Sequence, residues 1–148
     1  MKKLIFILSL LFTTQVYSQS EVPDKYWLDD SNYEEVVNQK GAFEDSEEEI
    51  IVVEYWAKFN ENNCFSDWGK LENVSYYRID ISKAPLAKKK YRVRMAPTLF
   101  VIKGGVIEYK YKAGLDLLVP VTLKEIQAIL TNLKSQVSFN IYNKITFH

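Results

Sequence analysis

The chain has 148 residues, with 19 basic and 19 acidic side chains, one cysteine and one histidine. Its hydrophobic fraction of 47% and aromatic fraction of 14% exclude general disorder, and its balanced charge provides no overall field that would attract nucleic acid or an anionic membrane. A single cysteine excludes an intrachain disulfide. Because the one histidine is the terminal His148, we expect no histidine-rich metal site, no Cys–His dyad and no cofactor.

The N-terminus has the pattern of a secretory signal peptide. Lys2 and Lys3 precede an apolar run over residues 4–12, and small residues follow it. The run is shorter than the roughly 20 apolar residues that a bilayer crossing needs, so a retained anchor is the weaker alternative. We predict a signal peptide at 1–18 that is cleaved after Ser18. The mature chain is then exported, periplasmic or secreted, without a membrane anchor.

Strand and helix signals alternate through the first half of the mature chain. Residues 25–28 predict a short strand, and the N-cap residues Asp30 and Ser31 predict a helix that ends at Gly41. The β-branched and aromatic run over 50–57 indicates a strand that is buried on both faces.

The second half predicts a strand, a short helix, a hairpin and a last helix. Residues 76–81 read as a strand, and Pro85 opens a helix over 86–91. Two further strands, at 98–102 and 106–111, flank a glycine pair that is typical of a tight turn. The element order predicts an α/β fold in which helices cover both faces of a mixed sheet.

The last helix is predicted to begin at Thr122, with Glu125 completing a capping box and apolar residues recurring at helical spacing. We place the end of the domain, which covers 19–135, within this region. The tail, 136–148, alternates in part like a strand. It therefore predicts either an edge strand or a mobile segment.

Two runs of charged residues are candidate partner-binding segments. An acidic run covers 44–49 and a basic run covers 88–94. The first is predicted to be a solvated surface rather than a partner-binding patch. The basic run could bind nucleic acid through phosphate contacts, but a solvated helix fits an exported chain better. We therefore expect no nucleic-acid partner.

Two stretches resemble thioredoxins. Residues 53–59 (Val-Glu-Tyr-Trp-Ala-Lys-Phe) are similar to the strand before the family's active site, and 77–105 are similar to its second half, including a Pro-Thr block at Pro97. Gly114 matches the glycine after the hairpin, so the resemblance covers about residues 26–133. It implies a thioredoxin fold: a mixed central sheet, helices on both faces and a loop with a cis proline at Pro97.

The family's Cys-x-x-Cys pair is missing. In an ungapped comparison Asn60 and Asn63 stand where the family has its cysteines, and Cys64 follows one residue late. A one-residue insertion would instead place Glu61 and Cys64 at those positions. Neither alternative supplies the first cysteine that thiol exchange needs. The resemblance also implies a long helix here, whereas this chain has room only for a short one over 65–71.

Glu54 and Cys64 each leave alternatives open. Glu54 occupies the position of a buried family aspartate, and it is either a satisfied buried acid or a site of perturbed pKa. Cys64 is a packed small hydrophobic residue, a reactive thiol that captures a partner, or the site of an interchain disulfide.

Three functions compete for this chain. In the first, it is a non-catalytic module that binds an extended polypeptide or an envelope protein in a groove beside Pro97. In the second, it is a thiol-disulfide oxidoreductase that acts through Cys64 alone. In the third, it is a structural subunit. The predicted groove residues are Trp56, Phe59, Asn60, Asn63, Ala96, Pro97 and Thr98.

Overall fold

The structure is a computed structural model that describes residues 21–38 and 49–146. Its centre is a five-stranded mixed sheet with the strand order β1-β3-β2-β4-β5. The strands β1, β2 and β3 run parallel, whereas β4 is antiparallel to β2 and β5 is antiparallel to β4. Their bounds are Trp27–Leu28, Ile50–Trp56, Ser75–Asp80, Thr98–Lys103 and Val106–Lys112.

Three α-helices complete the fold: α1 at Tyr33–Val37, α2 at Pro85–Lys90 and α3 at Leu123–Thr146. The first strand is shorter than predicted, because Asp24–Tyr26 forms a 3-10 turn and only Trp27–Leu28 pairs with β3. The predicted helix end at Gly41 is wrong, because α1 ends at Val37 with Asn38 as its C-cap residue. The predicted signal peptide and most of the acidic run lie outside the described residues.

The alternation of side chains along β2 builds two separate cores. Ile51, Val53 and Tyr55 face the helices α1 and α2. Ile50 and Val52 face α3, whose buried face consists of Ile126, Leu130 and Leu133. The predicted mixed sheet with helices on both faces is therefore confirmed.

The hairpin between β4 and β5 follows the glycine signal of the sequence. Gly104 and Gly105 have φ angles of 55° and 81°, which lie in the left-handed region that costs a glycine little. The strands on either side pair from Lys103 and Val106 outward. Because the turn is local, the sequence was sufficient to place it.

The predicted N-cap of α1 is wrong. Asn32 is the N-cap residue, while Asp30 accepts hydrogen bonds from the backbone N–H groups of Leu86 (3.0 Å) and Ala87 (2.8 Å). Asp30 thus caps α2, which begins with Pro85 and has the apolar Ala84 at its own N-cap position. A side chain that can accept hydrogen bonds from backbone N–H groups caps whichever helix N-terminus the tertiary structure places beside it.

The prediction of an edge strand after residue 135 is also wrong, because α3 continues through Thr146. The start of α3 was predicted correctly. The backbone N–H of Glu125 donates to Thr122 Oγ1 at 3.3 Å, and the N–H of Thr122 donates to Glu125 Oε2 at 2.8 Å. Val137 and Ile141 are four residues apart, so the tail pattern fits a continuing helix as well as a strand.

Candidate functional site

The segment after β2 has no α-helix. Two 3-10 turns, Lys58–Asn63 and Ser66–Lys70, connect β2 to β3, and the predicted short helix over 65–71 is such a turn. Cys64 lies between the two turns in an extended conformation, with φ −72° and ψ 166°. It therefore has no helix N-terminus to stabilise a thiolate.

Asn60 links three loops at the position where sequence reasoning placed a groove. Its Nδ2 donates to the carbonyl oxygens of Ala96 and Leu117, each at 2.8 Å, and Asn63 Nδ2 donates to Asn60 Oδ1 at 2.8 Å. The Ala96–Pro97 peptide bond is cis. One of the two acceptor positions of the Ala96 carbonyl is therefore already used within the chain.

The other predicted groove residues beside Pro97 are largely covered. Ala96, Pro97 and Thr98 are buried, and Thr98 Oγ1 donates to the carbonyl oxygen of Met95 at 2.7 Å. Asn63 is half-buried. These largely covered residues form what we call the base.

Near this base, three exposed apolar side chains lie on segments that the Asn60–Leu117 hydrogen bond joins: Phe59, Leu115 and Leu118. We call these three side chains the apolar surface. Their exposed fractions are 75%, 98% and 52%. Sequence reasoning found Phe59 but missed both leucines. A signal was present, because Gly-Leu-Asp-Leu-Leu at 114–118 follows the hairpin and belongs to no periodic element.

Trp56 points to a different place, a cavity of about 310 Å³. Trp27 and Trp56 meet edge to face with their ring centroids 5.2 Å apart. A neighbouring cavity of about 610 Å³ shares Trp27, Trp56 and Lys58 with the first. The smaller cavity is lined by Glu21, Val22, Trp27, Trp56, Lys58, Glu61, Cys64, Ser66, Trp68 and Arg78.

A buried polar network lies under this cavity. Arg78 donates to Glu54 Oε2 from Nη2 at 2.9 Å and from Nε at 3.0 Å, and the Tyr76 hydroxyl donates to the same oxygen. The backbone N–H of Phe65 donates to Glu54 Oε1 at 2.8 Å. Both carboxylate oxygens thus have partners, and Glu54 is a satisfied buried acid.

Sequence reasoning missed Arg78 and Tyr76. The available signal was one charged residue in each of two apolar strands, negative Glu54 in β2 and positive Arg78 in β3. The two residues are register partners in the sheet. Only the strand pairing shows that the two charges meet.

The Cys64 thiol is half-buried and lines the cavity. Burial raises its pKa, the negative charge of Glu54 raises it further, and the Arg78 guanidinium acts in the opposite direction. With one cysteine in the chain, there is no dithiol motif. The thiol is thus closer to a packed residue than to an activated nucleophile.

The described residues contain neither a membrane-spanning helix nor a metal-binding cluster. None of their helices combines the length and apolar character that a membrane crossing requires. No group of three or more His, Cys, Asp and Glu side chains within 21–38 and 49–146 is placed to hold a metal ion.

Comparisons with known proteins identify the fold. No family model and no curated protein matches the chain. Among solved structures, the reduced thioredoxin preprotein of Schistosoma mansoni is 16% identical, with a TM-score of 0.53 over 72% of this chain and 94% of that one. A second structure of Schistosoma mansoni thioredoxin is 16% identical, with a TM-score of 0.52 over 72% and 92%.

Thioredoxin-2, a component of the protein secretion machinery of the malaria parasite, is also similar. It is 16% identical, with a TM-score of 0.50 over 64% of this chain and 96% of that one. Together with the five-stranded mixed sheet, these similarities show that the chain has a thioredoxin fold.

Proposed function

We propose that this chain is an exported, non-catalytic thioredoxin-fold module that binds a partner polypeptide, such as an envelope protein, on the surface beside Pro97. The observation that carries the proposal is the apolar surface of Phe59, Leu115 and Leu118. Exposed apolar side chains grouped at one place are typical of interaction sites. The signal-like N-terminus supports export.

The three side chains belong to segments that Asn60 holds together. Phe59 precedes Asn60, and Leu118 follows Leu117, whose carbonyl oxygen accepts from Asn60. Two further hydrogen bonds order the turn at residues 114–118, which carries both exposed leucines. The N–H of Leu117 donates to the Gly114 carbonyl at 3.1 Å, and the N–H of Leu118 donates to Asp116 Oδ1 at 3.2 Å. A surface ordered before binding loses little entropy when a partner docks.

This geometry changes the mode of binding from the one expected from the sequence. Since the Ala96 carbonyl is bonded to Asn60, the partner is held mainly by burial of apolar side chains. Burying one large apolar side chain contributes about 1.5–3 kcal/mol. At a typical protein interface a few such contacts contribute most of the binding free energy.

A peptide library displayed on phage tests the proposal. The mature chain, residues 19–148, is used for selection, and enriched peptides are then titrated against variants by fluorescence anisotropy. We expect Phe59→Ser with Leu115→Ser to weaken binding at least about tenfold, because a hot-spot contact is worth more than 1.4 kcal/mol.

Leu86→Ser is the matched control, because Leu86 is a 69% exposed leucine on α2. This variant should leave the affinity unchanged. A selection that enriches nothing, or an equal loss with Leu86→Ser, contradicts the proposal. Export is tested separately by N-terminal sequencing of the mature protein, which should begin at Gln19.

The alternative function, a single-cysteine thiol-disulfide oxidoreductase acting through Cys64, has weaker support because burial and Glu54 raise the pKa of this thiol. Cys64→Ser separates the two functions. A binding module keeps its peptide affinity in this variant, whereas capture of a partner as a mixed disulfide is lost.

A further inference from the structure

We propose that the cavity walled by the three tryptophans binds a neutral saccharide. The chain contains three tryptophans, and all of them line this one cavity: Trp27, Trp56 and Trp68. The proposed polypeptide surface uses none of them, so this site is a separate one. We call it the tryptophan cavity.

Neighbouring groups hold the indole rings in place. Trp27 packs edge to face on Trp56, and its Nε1 donates to the Val22 carbonyl at 3.0 Å. Trp68 stacks on Tyr76 with the centroids 5.5 Å apart and 22° between the planes. Each tryptophan is nevertheless partly exposed. Fixed, partly open indole faces suit the flat C–H face of a pyranose ring.

The size of the site fits more than one sugar ring. The tryptophan cavity has a volume of about 310 Å³, and the neighbouring cavity of about 610 Å³ continues from it. Both values fall in the range of small-molecule sites, which is about 300–1,000 Å³. The two cavities have five lining residues in common: Glu21, Val22, Trp27, Trp56 and Lys58. This shared lining makes the two cavities neighbours, and we call them together the groove; their volumes leave room for a disaccharide.

The charges around the groove favour a neutral ligand. Carboxylates outnumber the two lysines, Lys58 and Lys83, and would repel a phosphate or a carboxylate ligand. A cation would find Glu61 already paired with Lys58, while Asp29 and Asp80 already accept hydrogen bonds from Ser31 and Ser82. The carboxylates are those of Glu21, Asp24, Asp29, Glu61 and Asp80.

The same side chains offer hydrogen bonds to hydroxyl groups. Lys58 and Arg78 donate, the carboxylates accept, and the Ser66 hydroxyl can do both. Hydrogen-bond donors and acceptors beside aromatic faces suit a sugar ring, which has apolar C–H faces and hydroxyl groups along its edge. An extended polypeptide fits less well, because the nearby edge strand β1 offers only two residues, Trp27–Leu28, for strand addition.

Tryptophan fluorescence gives a direct test, because every indole of the chain lies in the tryptophan cavity. N,N′-diacetylchitobiose and cellobiose are titrated into the folded mature protein. We expect a saturable change in emission with at least one of them at millimolar or lower concentration. No saturable change with either sugar overturns the proposal.

Variants then locate the binding. Trp56→Ala should weaken it at least about tenfold, the size of one lost hot-spot contact. Tyr109→Ala, which removes an exposed aromatic of β5 outside the groove, should not affect it. If Trp56→Ala does not fold, Ser66→Tyr narrows the cavity from its exposed rim and should have the same effect. Unchanged affinity in a folded cavity variant contradicts the assignment, whatever the peptide selection shows.

Discussion

Glu54 and Arg78 are register partners on the parallel strands β2 and β3, and Nη2 of Arg78 lies 2.9 Å from Oε2 of Glu54. The exposed fractions of the two side chains are 0% and 8%. Phe65 and Tyr76 donate further hydrogen bonds to the same carboxylate. The network therefore fixes the loop that carries Cys64 and the floor of the tryptophan cavity.

Removing one member of this pair should be costly. Glu54→Gln keeps the shape of the side chain but leaves the Arg78 charge buried without its partner. We expect a loss of about 3–5 kcal/mol in the free energy of unfolding, measured with urea. The exposed control Glu108→Gln should change it by less than about 0.5 kcal/mol. A loss in Glu54→Gln that is no larger than the loss in Glu108→Gln would contradict the prediction.

The Cys64 thiol should react slowly with alkylating reagents. Burial and the Glu54 charge raise its pKa, so the midpoint of the rate against pH should lie above the free-thiol value of about 8.5. Iodoacetamide labelling of the folded protein measures this midpoint, and the urea-unfolded chain provides the reference. A midpoint well below that of the unfolded reference would contradict this prediction and support the oxidoreductase function of Cys64.

Alkaline pH should destabilise the fold through Tyr33 and Tyr55. The Tyr55 hydroxyl donates to the Tyr33 hydroxyl at 2.7 Å, and burial raises the pKa of both. Below a pH of about 10 both are neutral in the folded and the unfolded chain, so their contribution to stability is fully present. Above it the unfolded tyrosines lose protons that the folded ones keep, and stability falls by about 1.4 kcal/mol per pH unit for each residue.

Urea titrations across this pH range measure the slope. The double variant Tyr33→Phe with Tyr55→Phe should flatten it, while Tyr109→Phe, which changes an exposed tyrosine, should leave it as it is. An unchanged slope in the double variant would assign the alkaline loss to other groups, such as the buried Tyr76.

Asp30 should stabilise α2, although it lies 56 and 57 residues before its partners Leu86 and Ala87. Asp30→Ala removes the acceptor for two backbone N–H groups, and we expect a loss of about 1 kcal/mol in unfolding free energy. Glu35→Ala, at an exposed position of α1, serves as the control. Equal losses in both variants would mean that Asp30 has no capping role.

Local features of the chain could be predicted because neighbouring residues decide them. The Gly104-Gly105 turn and the Thr122 capping box both depend on contacts within a few residues. The burial of Glu54 could also be predicted from the apolar strand around it. Its partner Arg78 could not, because the pairing of β2 with β3 is needed to bring the two charges together.

The sequence by itself determined that the chain alternates helices and strands, that the strand at residues 50–55 is buried, and that no cysteine pair exists for dithiol chemistry. Tertiary structure alone decided what the polar residues of the loops do. Asn60 reaches Ala96 and Leu117 across 36 and 57 residues, and in this way joins the segments that carry Phe59, Pro97 and the two exposed leucines. Hydrogen bonds between residues so far apart in the chain depend on how strands and loops meet in space. The periodicity of the sequence therefore cannot predict them.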